Sequence, residues 1–221
     1  AFERAVIRLT TVMGNQGRYD EAASILLDLV ERRTAELGVD HMKTIVATQQ
    51  LVGTWILGGA FERAEPMARA LVERREAVSG EDHPGTINAL RQLGHIRLVL
   101  GDHSEAEEHF RAAVQRGTAA MGANDERVLQ AEFFLAQTLV ATARHDEAQP
   151  ILQRIVDVRT VRDGVDHPQT LAALNELGRV QLAREDYAGA EPAVRRIMEA
   201  YARELGAEHP YTLIVQCNLG T

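Results

Sequence analysis

The chain has 221 residues, a net charge of −8 at pH 7, 45% hydrophobic residues and only 5% aromatic residues. This balance is typical of a globular protein with a core of small aliphatic side chains. Its acidity argues against a phosphate-binding surface, so we expect no direct contact with nucleic acid. There is no secretory signal and no apolar run of the roughly 18 residues that a membrane span needs. The single cysteine, Cys217, cannot form an internal disulfide. We therefore expect a cytoplasmic protein with no membrane partner, and the use of arginine for every cation except Lys43 indicates a bacterial origin.

A period of 42 residues runs through the whole chain. The segments EDHPGTINALRQLG at 81–94 and VDHPQTLAALNELG at 165–178 are two copies of one phrase. The glycine that opens this phrase recurs at Gly38, Gly80, Gly122, Gly164 and Gly206. Three residues later stand His41, His83, Asp125, His167 and His209. A constant period of this length is typical of proteins built from stacked structural repeats.

Each period predicts two helices. In the third copy, apolar residues spaced three or four apart predict a first helix after Pro84 and a second helix after the break at Gly101 and Asp102. Proline suits the first turn of a helix, and a glycine such as Gly80 can end the preceding helix in a left-handed conformation. The apolar positions that carry this pattern are Ile87, Leu90, Leu93, Leu98, Ala106, Phe110, Ala113 and Val114.

In chain order, the period predicts five helix-turn-helix units and the first helix of a sixth. Their bounds are about 1–37, 38–79, 80–121, 122–163 and 164–205, with a partial unit at 206–221. We expect the whole chain, 1–221, to form a single domain of eleven helices. Neither end carries a convincing polar cap, so we expect this domain to be a fragment of a longer protein.

The spacing within a unit resembles the tetratricopeptide repeat. In the third unit, Gly94, Ala106, Phe110 and Ala113 carry the small, small, large and apolar positions of that repeat. The usual period of the repeat is 34. The period of 42, together with GRYDEAA at 17–23, DYAGAEP at 186–192 and the DHPxT phrases, resembles the subclass found in kinesin light chains. The resemblance implies an all-α, right-handed α-solenoid whose first helices line a concave groove.

The resemblance also places a set of candidate binding residues on this groove. Asparagine and glutamine can donate and accept hydrogen bonds together, which suits an extended peptide backbone, and arginine offers a two-pronged contact to a carboxylate. The alternative is that these positions are polar only because they face water. The candidate groove residues are Arg8, Gln49, Gln50, Asn88, Arg91, Gln92, His95, Gln130, Phe133, Phe134, Gln137, Asn175, Glu176, Arg179 and Asn218.

The pair Phe133 and Phe134 departs from the polar pattern of the other candidates. Two adjacent aromatic residues on a groove could form an apolar pocket for an anchor residue of a partner. Neighbours on a helix are about 100° apart, so the alternative is that one or both rings turn into the core. Kinesin-light-chain-like repeats commonly carry two adjacent asparagines at this register, and most units of this chain do not.

Nothing in the sequence predicts catalysis, a cofactor or a metal site. The motifs of nucleotide-binding loops, serine hydrolases and zinc proteases are absent. The recurring histidines occur once per repeat, and packed helices lie about 8–10 Å apart, so the histidines cannot converge on one ion. Inter-repeat packing or loop hydrogen bonding is the expected role. The charged runs SEAEEH at 104–109 and VERREA at 72–77 are interpreted as solvated outer faces.

Two hypotheses about function follow. In the first, the protein is a non-catalytic scaffold whose groove binds another protein, a peptide segment or another domain of the same polypeptide. In the second, it is the regulatory sensor domain of a bacterial signalling protein, such as a switch ATPase, a kinase or a transcription regulator. Such a domain would bind a small effector or the host protein's own domains.

Overall fold

The computed structural model describes residues 2–205, and within this range the chain forms helices and no strand. The predicted all-α fold of helix pairs is confirmed, while the eleventh helix, His209, Cys217 and Asn218 lie outside the described residues. After α1, first helices have 16 residues and second helices have 19. The helices are α1 (Phe2–Asn15), α2 (Tyr19–Leu37), α3 (Met42–Leu57), α4 (Phe61–Ser79), α5 (Pro84–Val99), α6 (His103–Met121), α7 (Glu126–Ala141), α8 (His145–Asp163), α9 (Pro168–Ala183) and α10 (Tyr187–Leu205).

The recurring histidines begin the first helices. The Nδ1 atom of His83 accepts a hydrogen bond of 3.0 Å from the backbone N–H of Gly85, and His41 and His167 make the same bond to the N–H groups two residues later. Such a bond satisfies one of the donors that the first turn of a helix leaves unpaired. The expected loop hydrogen bonding is therefore observed. Within residues 2–205, no group of three or more His, Cys, Asp or Glu residues could hold a metal ion.

Left-handed backbone conformations separate the helices. At the end of α4, Gly80 has φ of +91°, and its counterparts behave alike. The turns inside the pairs also need positive φ, which glycine supplies in the first three units. In the last two units the same position is Ala143, with φ of 58°, and Glu185, with φ of 60°. A left-handed non-glycine residue costs roughly 1–2 kcal/mol, so these two turns are held by the helices around them.

The chain divides into two compact parts, residues 1–128 and 129–221, each of which contains several repeat units. In the first part each helix from α1 to α6 packs against the next, and α3 also contacts α5. In the second part α9 packs against both α8 and α10. The predicted small positions Ala106, Ala148 and Ala190 are buried, as expected for closely packed helices.

Size complementarity fills the space between the two helices of a pair. Gly94 on α5 faces Phe110 on α6, and a Cβ atom at Gly94 would lie 2.8 Å from the ring atom Cε1. In the fifth unit, a Cβ atom at Gly178 would lie 3.6 Å from Cγ2 of Val194, which is an ordinary contact. The third unit is thus packed around one large ring, and it leaves no room for a larger residue at Gly94.

Three arginines on the second helices are buried, which corrects one sequence-based interpretation. Arg33, Arg75 and Arg159 are only 3%, 4% and 3% exposed. Arg75 lies in the run 72–77 that was expected to be a solvated face, and that expectation is wrong for this residue. Burial lowers the pKa of Arg75. The guanidinium groups of Arg33 and Arg159 each donate to a backbone carbonyl of the next first helix, whereas Arg75 donates to a side chain of α3.

The outer run at 104–109 is also only partly solvated. Glu105 contacts Arg69 at 2.7 Å and Arg97 at 2.8 Å, and both arginines also contact Glu65, at 3.1 and 2.7 Å. These four side chains form a closed ring of alternating charge that joins α4, α5 and α6. A network of this kind stabilises more than isolated surface pairs do.

Candidate peptide-binding face

Six of the predicted groove residues come together on α3 and α5. We call them the α3–α5 face: Gln49, Gln50, Asn88, Arg91, Gln92 and His95. Hydrogen bonds cross between the two helices, because Gln49 Nε2 donates to the carbonyl of Gly85 and Gln92 Nε2 donates to the carbonyl of Gln49. The distances are 3.1 and 3.4 Å. Gln49 Oε1 also accepts a bond of 2.6 Å from Arg75 beneath it, which fixes the orientation of its amide.

Two amide oxygens of this face lack a protein partner. Oε1 of Gln50 and Oε1 of Gln92 are buried and accept no hydrogen bond from any described residue. The Gln92 side chain is only 7% exposed, and its Nε2 already lies within 3.1 Å of where a Cβ at Gly53 would stand. Turning the amide over would leave a nitrogen unpaired instead of an oxygen. A buried polar group without a partner costs roughly 1–3 kcal/mol, so each of these two oxygens lowers the stability of the face.

The charge of this face differs from that of the whole chain. None of its six residues carries a carboxylate, and Arg91 supplies a positive charge. Arg91 Nη2 donates to Asn88 Oδ1 at 2.8 Å, which orients the guanidinium. Burial lowers the pKa of Arg91, which nevertheless stays protonated in proteins because guanidinium is so strongly basic. The face is therefore locally positive in a protein whose net charge is −8.

His95 is neutral at the edge of this face. Its ring packs edge-to-face on Phe61, with centroids 6.0 Å apart and planes at 84°. Burial lowers the pKa of His95, and the positive charge of Arg91 lowers it further. Protonation would place a second cation beside Arg91, in a half-buried position against an aromatic ring edge.

The lowered pKa of His95 predicts that stability falls in mild acid. Its folded pKa lies below the usual 6.5, so the unfolded chain takes up the proton first and stability is lost as the pH falls below about 6.5. We expect the His95→Gln variant to lose less stability than the parent between pH 7.5 and 5.5 in urea unfolding. His109, whose pKa is also lowered by burial, contributes equally to both proteins. Equal pH dependence in the two would contradict this assignment.

The predicted groove residues of the fourth and fifth repeats lie on α7 and α9. Phe133 and Phe134 are both half-buried on α7, with ring centroids 6.0 Å apart and planes at 66°. On α9, Asn175 and Arg179 are exposed, while Arg179 Nη1 contacts both carboxylate oxygens of Glu176 at 3.0 Å. Gln130 and Gln137 are half-buried.

In two of the adjacent pairs of predicted groove residues, one side chain is buried and its neighbour is more exposed. Gln92 is 7% exposed and its register mate Glu176 is 8% exposed, whereas their preceding neighbours Arg91 and Asn175 are half-buried and exposed. Arg8 is exposed on α1, and Asn218 lies outside the described residues. In these two pairs the second residue is buried and the first is the more accessible one, whereas both members of the pairs Gln49–Gln50 and Phe133–Phe134 are half-buried.

Comparison with known proteins identifies the repeat. Models of the tetratricopeptide repeat match residues 7–41 and, in three overlapping stretches, residues 56–119, 86–160 and 127–203. None of the curated protein sequences gives a significant match. None of the helices within residues 2–205 is long and apolar enough to cross a membrane.

Solved structures share the fold at low sequence identity. A protein from Podosopora anserina, described as a kinesin light chain with nearly identical TPR-like repeats, is 20% identical over 90% of this chain and 94% of its own, with a TM-score of 0.77. BtubC from P. vanneervenii is 19% identical over 93% of this chain and 81% of its own, with a TM-score of 0.77. A Rap protein complexed with Competence and Sporulation Factor is 16% identical over 97% of this chain and 62% of its own, with a TM-score of 0.60.

These structures show the fold, while the sequence matches, which extend over more than half of the chain, show the family. The 42-residue period, the alternating helices of 16 and 19 residues and the close small-to-large contacts agree with both. The chain belongs to the tetratricopeptide repeat family, and its array resembles that of kinesin light chains.

Proposed function

We propose that the protein is a non-catalytic scaffold that binds an extended segment of a partner protein on the α3–α5 face. The observation that carries this proposal is the unpaired, buried Oε1 of Gln92, joined by that of Gln50. A ligand with hydrogen-bond donors satisfies such an acceptor once rotation of the side chain brings the oxygen to the surface, and the backbone N–H groups of an extended peptide are donors at regular intervals. Stacked repeats characteristically offer extended binding surfaces of this kind.

The charge of the face favours a segment with an acidic side chain. Arg91 is oriented by Asn88 and partly shielded from water, so its contact with a carboxylate would be stronger than one at an open surface. His95 stays neutral at physiological pH and does not add to this charge. We infer that the partner segment is neutral to acidic.

The candidate residues of the other first helices extend this proposal. Arg8 on α1, Gln130, Phe133, Phe134 and Gln137 on α7, and Asn175, Glu176, Arg179 and Asn218 are proposed as further binding positions. The half-exposed pair of rings on α7 suits an apolar side chain of a partner. The Rap protein bound to Competence and Sporulation Factor supports the idea that a fold of this class holds a ligand.

A peptide screen with matched variants tests the proposal. The full chain is screened against arrays of acidic, neutral and basic peptides, and the Kd values of the hits are measured by fluorescence anisotropy. We expect hits among the acidic and neutral peptides, with binding weakened at least tenfold by Gln92→Leu and by Arg91→Ala. Tenfold corresponds to about 1.4 kcal/mol, the size of one buried hydrogen bond.

Gln181 provides the control for Gln92. It is also 7% exposed and its Oε1 is also unpaired, but it lies at the register of Arg97, which points towards the second helices. We expect Gln181→Leu to leave peptide binding unchanged. Binding that survives both Gln92→Leu and Arg91→Ala would overturn the assignment of the α3–α5 face. Failure of every peptide, with a thermal shift caused by a small metabolite, would instead support a sensor domain that binds a small effector.

A further inference from the structure

Three junctions between successive repeats share the same kind of buried polar contact. A threonine at the start of the first helix donates its hydroxyl to the glycine carbonyl six residues earlier: Thr44 to Gly38, Thr86 to Gly80 and Thr170 to Gly164, at 2.8, 2.7 and 2.9 Å. The buried arginine of the preceding second helix reaches the same turn. We call the pairs Arg33 with Thr44, Arg75 with Thr86, and Arg159 with Thr170 the Arg–Thr clasp.

The arginine of each clasp reaches the beginning of the next first helix. Arg33 Nη1 donates to the carbonyl of Lys43 at 2.5 Å, and Arg159 Nη1 donates to the carbonyl of Gln169 at 3.1 Å. Arg75 lies against the backbone of Gly85, the register mate of Lys43, but its hydrogen bond goes to Gln49 Oε1 on α3, in its own repeat. Two of the three clasps therefore tie a second helix to the beginning of the following repeat by a directional arginine bond, and in the third the guanidinium of Arg75 packs against that backbone.

The junction between α6 and α7 replaces both members of the clasp. Gly117 stands at the arginine position and Val128 at the threonine position. A Cβ atom at Gly117 would lie 2.8 Å from Cγ2 of Val128 and 3.4 Å from Cγ2 of Ile87, so the valine methyl fills the space that an arginine stem would need. The two replacements fit each other, and neither residue has the polar group that the clasp requires.

This junction differs from the three clasped junctions in two ways that we expect to lower its stability. Glycine has no side chain to span the repeats, and valine has no hydroxyl, so a non-directional methyl contact replaces the polar bonds. Glycine inside a helix also lowers the stability of α6 itself relative to other residues.

We propose that the Gly117–Val128 junction is a built-in point of opening, at which α1–α6 and α7–α10 unfold as separate cooperative blocks. In a repeat array, stability is the sum of the terms for single repeats and for nearest-neighbour contacts. The weakest contact therefore decides where cooperativity breaks. The proposal concerns the stability of the array and is independent of what the α3–α5 face binds.

Native-state hydrogen exchange of the full chain in increasing urea tests this proposal. We expect the amides of α1–α6 and those of α7–α10 to open in two separate transitions. The double variant Gly117→Arg/Val128→Thr restores the residues of the clasp, with the carbonyl of Arg127 in register with those of Lys43 and Gln169. We expect it to merge the two transitions and to slow the exchange of α7 amides at least tenfold.

Single and transplanted variants complete the test. Gly117→Arg alone meets Val128 and should speed the exchange of α7 amides, so a gain in protection that appears only in the double variant marks coupling between the two sites. Arg75→Gly/Thr86→Val moves the apolar pair to the α4–α5 junction, where we expect a new break. A single transition in the parent protein, unchanged by Gly117→Arg/Val128→Thr, would overturn the proposal.

Discussion

Replacing Phe110 with alanine is expected to destabilise the protein by about 3–5 kcal/mol, the range seen when a large buried aromatic ring is removed. Phe110 is 0% exposed and is the largest of the fully buried side chains of the described residues. Its ring fills the space above Gly94, which has no side chain to expand into the gap. Urea unfolding monitored by circular dichroism gives the change in the free energy of unfolding.

A smaller replacement at the same position provides the comparison. Leu152 occupies the register of Phe110 in the fourth unit and is also fully buried. We therefore expect Phe110→Leu to cost clearly less than Phe110→Ala. A loss below about 1 kcal/mol for Phe110→Ala would show that the third unit is not packed around this ring.

Adding one methyl group at Gly94 is expected to cost about 1–3 kcal/mol, although alanine favours a helix more than glycine does. The new Cβ atom would stand 2.8 Å from Phe110 Cε1, and the buried ring has little room to move. Thermal and urea unfolding of Gly94→Ala measure the loss.

Gly178 is the matched control, because it occupies the same register in the fifth unit. Its Cβ atom would meet only ordinary contacts with Val194 and Ala193, at 3.6 and 3.7 Å. We expect Gly178→Ala to be neutral or stabilising by up to about 1 kcal/mol. The double variant Gly94→Ala/Phe110→Leu reproduces the pair of Ala136 and Leu152 found in the fourth unit and should recover part of the loss. Equal effects of Gly94→Ala and Gly178→Ala would contradict this account.

The repeat period allowed most of the fold to be predicted. A glycine with positive φ, a capping residue and, in the third and fifth units, a proline in the first turn act within a few residues of chain, so their order in the sequence is enough to locate helix ends. His83 and Pro84 mark the start of α5, and Gly80 marks the end of α4, as the spacing indicated. Ala143 and Glu185 show the limit of this reasoning, because helix packing imposes a left-handed turn on them without any glycine.

The buried arginines were missed for a different reason. Arg75 stands between charged neighbours, so composition favoured a solvated surface, although Leu71 and Val72 lie three or four residues before it on the same helix face. The recurrence of Arg33, Arg75 and Arg159 at intervals of 42 or its multiples was the available signal. A position that repeats with the core positions of an array belongs with the core, whatever its charge.

The sequence located the candidate binding face on the first helices, but it did not indicate which of two adjacent polar residues is accessible. The resemblance placed Arg91 and Gln92 together on the groove, but neighbours on a helix point about 100° apart. The structure buries Gln92 and leaves Arg91 more accessible. Which of two adjacent polar residues turns inward depends on the helices behind them, and that information is distributed over several repeats.

The fit between Gly94 and Phe110 has a consequence for building chimeric arrays. The small partner stands on the first helix of the pair and the large partner on the second, and other pairs divide the same volume differently, as Ala136 and Leu152 do. A single helix moved between repeats would bring a size that its new neighbour does not match, producing either a void or a clash. A helix pair exchanged as one cassette keeps this match within the pair, and the residue at the register of Gly117 must then be exchanged together with the residue at the register of Val128 in the next pair.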